Sequence, residues 1–418
     1  MKIVHLSTSD LAGGAAIACK RIVDAQALNG IDAKLLVQKK ISFDPKIIST
    51  TTKSLSKLYY QSRMVLDEGF IRFFTNKDRG RFSYPKIGLD ISKYQIIKDA
   101  NVINLQWING GFISLKAIER IGKHGKPIVW ILHDMWSFTG GCHYVGDCNK
   151  YLSECKNCPA LKFRSNHDLS NRIFKRKESI FNKLNLTFVT TSNWLASEVA
   201  RSYLFSNKNI FVIPTPIDSS LFKPVNKNSV RKNLKLPLDK KIILFGAMNL
   251  KDKRKGFYYL IEALNFIKNK SLNSEIEIAV FGKIDKNILN KIPFKVNQLG
   301  SVKNDDQIVS VYNSADVFVA PSLEDNLPNT IMESMACGTP VVAFDTGGIP
   351  DMVDNELNGL LTKLRSAEAL AEGMLKILLN EDYRQKMSEA ARAKVLQYFN
   401  PQNIAAKYRE LYTNLIQN

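Results

Sequence analysis

No window of this 418-residue chain approaches the ~18 consecutive apolar residues that a membrane-spanning helix requires. At the amino end, the strand-like Lys2-Ile3-Val4-His5-Leu6 stands where a signal peptide would need a longer apolar region, so a cytoplasmic protein is expected. Internal repeats and low-complexity tracts are missing, as is any recognisable nucleic-acid-binding motif. Acid is scarce: 39 Asp and Glu face 59 Lys and Arg, a net +20 that excludes an acidic disordered chain. What remains is an ordinary globular composition, 45% hydrophobic and 23% charged. At about 150 residues per domain, the length asks for two or three domains.

The positive charge is concentrated in the first half. Residues 1–220 carry 32 basic and 17 acidic side chains, whereas residues 221–418 carry 27 and 22. A field of this kind attracts nucleic acid, an anionic membrane leaflet or a phosphorylated substrate alike, and any one Lys is most simply a solvated surface residue. Charge alone does not choose among them.

The order of elements is more selective. Lys2 to Ser7 alternates as a strand, Gly13-Gly14 supplies a turn, Ala15 to Leu28 has helical spacing, and Asp32 to Gln38 reads as a second strand. The pattern resumes at Asn101 to Gln106, Pro127 to His133, Leu186 to Ser192 and Asn209 to Pro214. Residues 41–98 show little periodicity, and the basic, aromatic stretch Phe73 to Tyr84 reads as a mobile loop over a binding face. After the polar stretch Lys223 to Leu238, strands are expected at Lys241 to Phe245, Glu275 to Phe281, Val317 to Ala320 and Pro340 to Phe344. Helices fall between them at Gly256 to Lys268, Asp305 to Ser314 and Asn329 to Cys337. Two doubly wound α/β sheets joined near residue 220 follow, with ligands at the carboxyl ends of the strands and a site expected between the domains.

The most informative stretch runs from Pro321 to Val342: Pro-Ser-Leu-Glu-Asp-Asn-Leu-Pro-Asn-Thr-Ile-Met-Glu-Ser-Met-Ala-Cys-Gly-Thr-Pro-Val-Val. It reads as a strand end, a polar loop, a helix starting near Pro328 and a small-residue turn into the next strand. Backbone amides of Asn329 and Thr330 at that helix start suit a diphosphate. Glu333, one turn on, is placed to accept from vicinal sugar hydroxyls, although acids near helix starts are also common for dipole reasons. Lys253-Arg254-Lys255-Gly256 follows the strand ending Phe245-Gly246, where Lys255 would meet phosphate as a point charge.

These segments resemble the family 4 retaining glycosyltransferases of the GT-B fold, whose signature is an acid, seven residues, then Glu, followed by an Ala-Met-Ala-Cys-Gly-Thr-Pro-like turn. The resemblance implies that Glu333 holds the ribose of a nucleotide, and that Asp325, where the family usually has Glu, touches the transferred sugar. Glu324, offset by one, is the alternative first acid. It further implies a donor site made by Gly13, Gly14, Arg254, Lys255, Glu324, Asp325, Asn326, Leu327, Asn329, Thr330 and Glu333. Ala247 stands where the family has Arg, and Arg254 or Lys251 substitutes. Tyr312 to Val317 and Gly347-Gly348-Ile349-Pro350-Asp351 resemble mainly structural family segments. By the same resemblance Gly13-Gly14, which lacks the spaced three-glycine fingerprint, lies beside the donor phosphate, and His133 lies near the donor sugar. Taken alone, His133-Asp134 at a strand end is equally a backbone-bonded pair.

The run His133-Asp134-Met135-Trp136-Ser137-Phe138-Thr139-Gly140-Gly141-Cys142-His143-Tyr144 narrows the resemblance to transferases of the colanic acid and exopolysaccharide type. Cys142, Cys148, Cys155 and Cys158 follow within seventeen residues, with the last pair in a Cys-x-x-Cys half-site before Pro159. In a reducing compartment a structural zinc and free or redox thiols both fit this density. Cys19 and Cys337 read as small buried residues.

No Asp-x-Asp occurs, and with Lys255 and a helix start available for the diphosphate, catalysis is expected to need no metal, with zinc at most structural. The expected architecture is GT-B, two Rossmann-like doubly wound domains facing each other across a cleft. Residues 1–220 bind acceptor, residues 221–399 bind the nucleotide-sugar donor, and a helix over about 400–418 packs back on the first domain. The expected activity is retaining transfer of a hexose from a nucleotide-diphosphate sugar to an oligosaccharide or lipid-linked acceptor of surface exopolysaccharide or lipopolysaccharide synthesis. His133, Asp325 and Lys255 are the catalytic set. The charge of the first domain predicts a peripheral protein at the anionic inner face of the membrane, with no nucleic acid partner. A nucleotide-sugar epimerase or hydrolase on the same fold, and a basic nucleic-acid-binding protein with a cysteine cluster, are the alternatives.

Overall fold

Continuous apolar runs such as Ile128–Leu132 and Leu186–Thr190 are buried at every position, the pattern of strands covered on both faces. They belong to a seven-stranded parallel sheet in the computed structural model, which describes all residues except 53, 77–79, 250–251, 271–274, 284–288, 303 and 418. Its strands are β1 (Lys2–Ser9), β2 (Asp32–Lys39), β3 (Ile47–Ser49), β4 (Val102–Leu105), β5 (Ile128–Leu132), β6 (Leu186–Thr190) and β7 (Ile210–Val212). They lie in the order β3-β2-β1-β4-β5-β6-β7. The second sheet has β8 (Lys241–Asn249), β9 (Ile276–Lys283), β10 (Val296–Gly300), β11 (Val317–Ala320), β12 (Val341–Phe344) and β13 (Gly359–Thr362), in the order β10-β9-β8-β11-β12-β13, again parallel.

Contacts divide the chain into Met1–Pro216 with Pro401–Asn418, and Ile217–Asn400. In the first unit one face of the sheet is filled by Trp130, Phe138, Phe181, Phe188 and Phe205. The other face packs the helices Gly14–Leu28 and Pro401–Gln417 together through Cys19, Ile22, Val23, Tyr408 and Tyr412. The carboxyl-terminal helix thus returns to the first unit, where Gln26 donates to the Tyr412 hydroxyl at 3.0 Å.

Each sheet reverses its strand order once, between β1 and β4 and between β8 and β11. Loops leaving the carboxyl ends of such strand pairs diverge and leave a crevice, where open α/β sheets bind ligands. In the second unit the loop after β8 carries Lys253–Lys255, and the loop after β11 begins with Pro321-Ser322-Leu323-Glu324-Asp325.

Two sequence expectations are corrected. Residues within 41–98 that show little periodicity contain the 21-residue helix Ser54–Phe74, whose long face of Leu55, Leu58, Val65 and Leu66 is exposed, so its apolar residues do not make a narrow stripe. The stretch Phe73 to Tyr84 is not a free loop where it is described: Phe82 is buried and bridged to Cys142, and Ser83 donates its amide to the Gly141 carbonyl at 2.9 Å. Residues 77–79 of that stretch lie outside the described residues. Strands β3, β10 and β13 are not among the expected strands; none of them is buried at every position, so they lack the continuous apolar run that marks β11 and β12.

Candidate active site

In the second unit the chain leaving β8 makes a tight turn, Lys253–Lys255, capped by Asp252, whose carboxylate accepts the Arg254 amide at 3.0 Å. Gly256 ends the turn with φ 67°, and a Cβ there would stand 1.7 Å from the Pro321 carbonyl oxygen. Only glycine lets this turn press against the loop leaving β11. Leu323 completes the contact by donating to the Arg254 carbonyl at 2.7 Å.

This packing brings three charged side chains together. Lys255 Nζ lies 2.5 Å from Asp325 Oδ2, Arg254 Nη1 lies 3.3 Å from the same oxygen, and Arg254 also donates to the Glu324 carbonyl at 2.7 Å. Asp325 is buried, which alone would raise its pKa, but Lys255 and Arg254 outweigh burial and hold it down to about 2. A depressed carboxyl adds stability above its ordinary value near 3.8 and loses that contribution as pH falls toward 2. The main chain fixes it from the far side: Gly348 donates to the Asp325 carbonyl at 2.9 Å, and Asn326 donates its amide to Oδ1 at 3.1 Å. Gly347, at φ 57°, has no room for a Cβ, which would lie 2.0 Å from the Asp325 carbonyl oxygen.

Beyond this loop the helix Asn329–Ala336 starts after Pro328 without a side-chain cap. Asn329 and Thr330 are half-buried at its first turn, and Leu327 packs against the core beside it. Glu333 is buried on the same helix and accepts the Tyr312 hydroxyl at 2.9 Å, a partner that sequence reasoning did not identify. The second unit therefore gathers Arg254, Lys255, Glu324, Asp325 and Asn326 at one strand crossing, followed in the chain by Asn329, Thr330 and Glu333. Lys251, considered as a further cation, lies outside the described residues.

Gly13, Gly14, His133 and the four cysteines belong to the first unit. Gly13 has φ 110° at the start of the helix Gly14–Leu28, so its glycine is required by backbone conformation rather than by space. His133, at the end of β5, joins a polar chain across the unit that the sequence did not reveal. Its Nε2–H donates to Gln106 Oε1 at 2.6 Å, and Gln106 Nε2 donates to His5 Nδ1 at 3.0 Å. His5 Nε2–H then donates to Gln26 Oε1 at 2.9 Å. The amide orientations of this network make His5 a neutral Nε2–H tautomer and place a proton on His133 Nε2. Burial pulls His133 and His5 down to about 4 each, with Asp134 partly opposing this at His133. At neutral pH His133 is thus a hydrogen-bonding group rather than a cation, with Nδ1 as its accepting nitrogen.

Asp134 is a hub. It accepts from His143 Nδ1 at 2.7 Å, Trp107 Nε1 at 3.0 Å and the Trp136 amide at 2.9 Å, while His143 Nε2 meets Ser83 Oγ at 2.7 Å. Although Ser83, His143 and Asp134 have the order of a nucleophilic triad, His143 is 1% exposed and the Ser83 amide is spent on Gly141, so the trio ties loops together. Gln106, Asn109, His133, Asp134 and Ser137 line a small recess beside it.

Cys142, Cys148, Cys155 and Cys158 line one cavity, all as free thiols. Among the described residues no three His, Cys, Asp or Glu side chains already surround a common point as metal ligands would. No described helix is long and apolar enough to cross a membrane.

Residues 226–394 match the family model described as glycosyl transferases group 1. A D-inositol 3-phosphate glycosyltransferase of Corynebacterium jeikeium (strain K411) is 26% identical over 68% of this chain and 69% of its own length. A Campylobacter jejuni N,N'-diacetylbacillosaminyl-diphospho-undecaprenol alpha-1,3-N-acetylgalactosaminyltransferase is 30% identical over 55% of this chain and 60% of its own. Among solved structures, Anabaena Alr3699/HepE in complex with UDP-glucose superposes with a TM-score of 0.66 at 16% identity, covering 99% of this chain and all of the other. Residues 226–394 therefore match a glycosyl transferases group 1 domain, and the chain has the GT-B fold of the solved structures it resembles.

Proposed function

We propose that this chain transfers a hexose, with retention of configuration and without a catalytic metal, from a nucleoside-diphosphate sugar to a lipid-linked acceptor of surface-polysaccharide synthesis. The observation that carries the reading is the Arg254–Lys255–Asp325 cluster at the strand crossing of the second unit. Two cations share one carboxylate there, so a diphosphate entering the crevice finds positive charge already assembled, at a helix start that carries no capping side chain. As the glycosidic bond breaks, negative charge grows on the departing diphosphate. Arg254, Lys255 and the amides of Asn329 and Thr330 stabilise that charge more than the ground state, which lowers the barrier.

Glu333 accepts ribose hydroxyls, with its second partner Tyr312 holding the carboxylate in place. Asp325, kept ionised, accepts from hydroxyls of the transferred sugar, and His133 keeps the donor-sugar role that the family resemblance implies. Gly13 and Gly14 allow backbone to come close to the donor phosphate. Support for the donor and acceptor classes comes from the UDP-glucose complex of the superposable structure and the diphospho-undecaprenol acceptor in the name of the Campylobacter jejuni relative. The basic first half supports docking at the anionic inner face of the membrane.

Incubation with UDP- and GDP-sugars in EDTA, with and without an undecaprenyl-diphosphate-linked sugar, tests the reading by product NMR. An axial-donor sugar appearing with the same anomeric configuration on the lipid supports it. Fast conversion of donor to an epimer or free sugar without acceptor replaces it with the epimerase or hydrolase reading, and strict dependence on added Mn2+ removes the metal-free step.

A further inference from the structure

We propose that Cys142, Cys148, Cys155 and Cys158 hold one structural Zn2+ ion as a closed four-thiolate site, independently of the transferase reading. Three separate segments bring the four cysteines to the lining of one cavity: the strand-like segment at Cys142, the Val145–Cys148 turn, and the turn Cys155-Lys156-Asn157-Cys158, in which Asn157 has φ 47°. The cavity they line has a volume of about 20 Å3, room for one water or one ion. Four sulfur ligands with no oxygen or nitrogen donor in the set select zinc among the common divalent ions.

Hydrogen-bond donors are aimed at the sulfurs. Gly140 gives its amide to Cys155 Sγ at 3.2 Å, and Cys158 receives the Ala160 amide and the Ser170 hydroxyl. The packing around them is close: a Cβ on Gly140 would lie 2.7 Å from the Cys155 Cβ and 2.6 Å from the Ser170 carbonyl oxygen. Asp168 anchors the turn by accepting the Cys158 amide at 2.8 Å while capping the helix Leu169–Phe181.

Lys177 lies close enough to Cys155 and Cys142 for their charges to reach it. Its side chain is fully buried, donates to the carbonyls of Trp136 and Thr139, and stands 3.8 Å from the Trp136 ring centre. Burial lowers its pKa to about 7, and Cys155, Asp134 and Cys142 are the acids that partly oppose this. On binding, Zn2+ displaces four thiol protons to solvent, and the resulting four-thiolate centre carries a net charge of −2. The sulfurs close on the ion from their present positions around the cavity.

Closing this site rigidifies the loop that carries His143, whose carbonyl accepts the Met135 amide at 2.9 Å and whose ring orients Asp134. Zinc therefore acts on the His133 region by positioning, without contact with a substrate.

The test uses the full chain, expressed with zinc supplied and purified without a metal-affinity tag. Elemental analysis is expected to give one Zn per chain, released by a mercurial thiol reagent, and Co2+ substitution is expected to give the visible sulfur-to-cobalt absorption of a tetrahedral thiolate site. Cys155→Ser is expected to lower the zinc content at least tenfold, and Cys337→Ser to leave it unchanged. Zinc-free protein that takes up neither Zn2+ nor Co2+ after reduction overturns the proposal, as does zinc content unaffected by Cys155→Ser. Metal content and the cobalt spectrum of the unmutated chain decide the matter even if the variant fails to fold.

Discussion

Acid should loosen the first unit between pH 6.5 and 4, because His5 and His133 are buried neutral. Each has a folded pKa near 4 against an ordinary value of 6.5. The folded pKa is the lower one, so the stabilising contribution is present above pH 6.5 and is lost as pH falls toward 4. Between pH 7 and 5 the proton linkage amounts to about 2 kcal/mol for one such histidine and about 4 kcal/mol for both, roughly a thousandfold in the folding constant. His143 is shifted in the same direction by burial, with Asp134 opposing, and adds to the slope.

The assay is favourable because Trp107, Trp130, Trp136 and Trp194 all fall in the first unit, so tryptophan fluorescence in urea reports its unfolding alone. His5→Leu strands Gln26 Oε1 and the Gln106 amide, costing about 1–3 kcal/mol at every pH. What matters is the slope, which should shrink by about 2 kcal/mol between pH 7 and 5. Equal pH dependence in the wild-type and His5→Leu proteins would refute the assignment of His5 as a buried neutral imidazole.

Other consequences concern the second unit. Gly347→Ala places a Cβ against the Asp325 carbonyl in a left-handed backbone position, and should destabilise this unit by about 1–3 kcal/mol, read as a lower calorimetric transition. Tyr312→Phe removes the hydroxyl that serves buried Glu333, and should cost about 1–3 kcal/mol in the same measurement while weakening nucleoside binding. Asp325→Asn leaves Arg254 and Lys255 without their shared carboxylate, so inorganic pyrophosphate should bind more tightly while sugar transfer falls at least tenfold. Unchanged pyrophosphate affinity would show that these cations do not face the ligand.

Much of this arrangement was legible in the sequence, and the failures have physical causes. Parallel strands covered on both faces write themselves as apolar runs, which is why β5, β6, β11 and β12 could be placed within a residue or two. Helix Ser54–Phe74 could not, because its large apolar residues point outward as well as inward. At the site, Lys255 and Asp325 stood out by type and spacing, but their 2.5 Å pairing depends on Gly256 and Gly347 admitting backbone carbonyls where a Cβ would clash. The role of Gln106 was hidden for a different reason. Glutamine has no distinctive spacing, and only the fold brings it between His5 and His133 from residues 101 and 27 positions away. His143 was visible beside Cys142, yet nothing in the sequence joined it to Asp134 and Ser83.

Whether the crossing of β8 and β11 binds a nucleoside diphosphate is best asked by calorimetric titration of UDP, GDP and ADP into the protein in EDTA, repeated with Lys255→Ala and Glu333→Gln. One nucleotide should bind in preference to the others, and its affinity should fall at least tenfold in both variants while their circular dichroism stays unchanged. A folded protein that binds none of the three, or that binds one equally well without Lys255 and with Glu333 neutralised, would contradict the donor site described above.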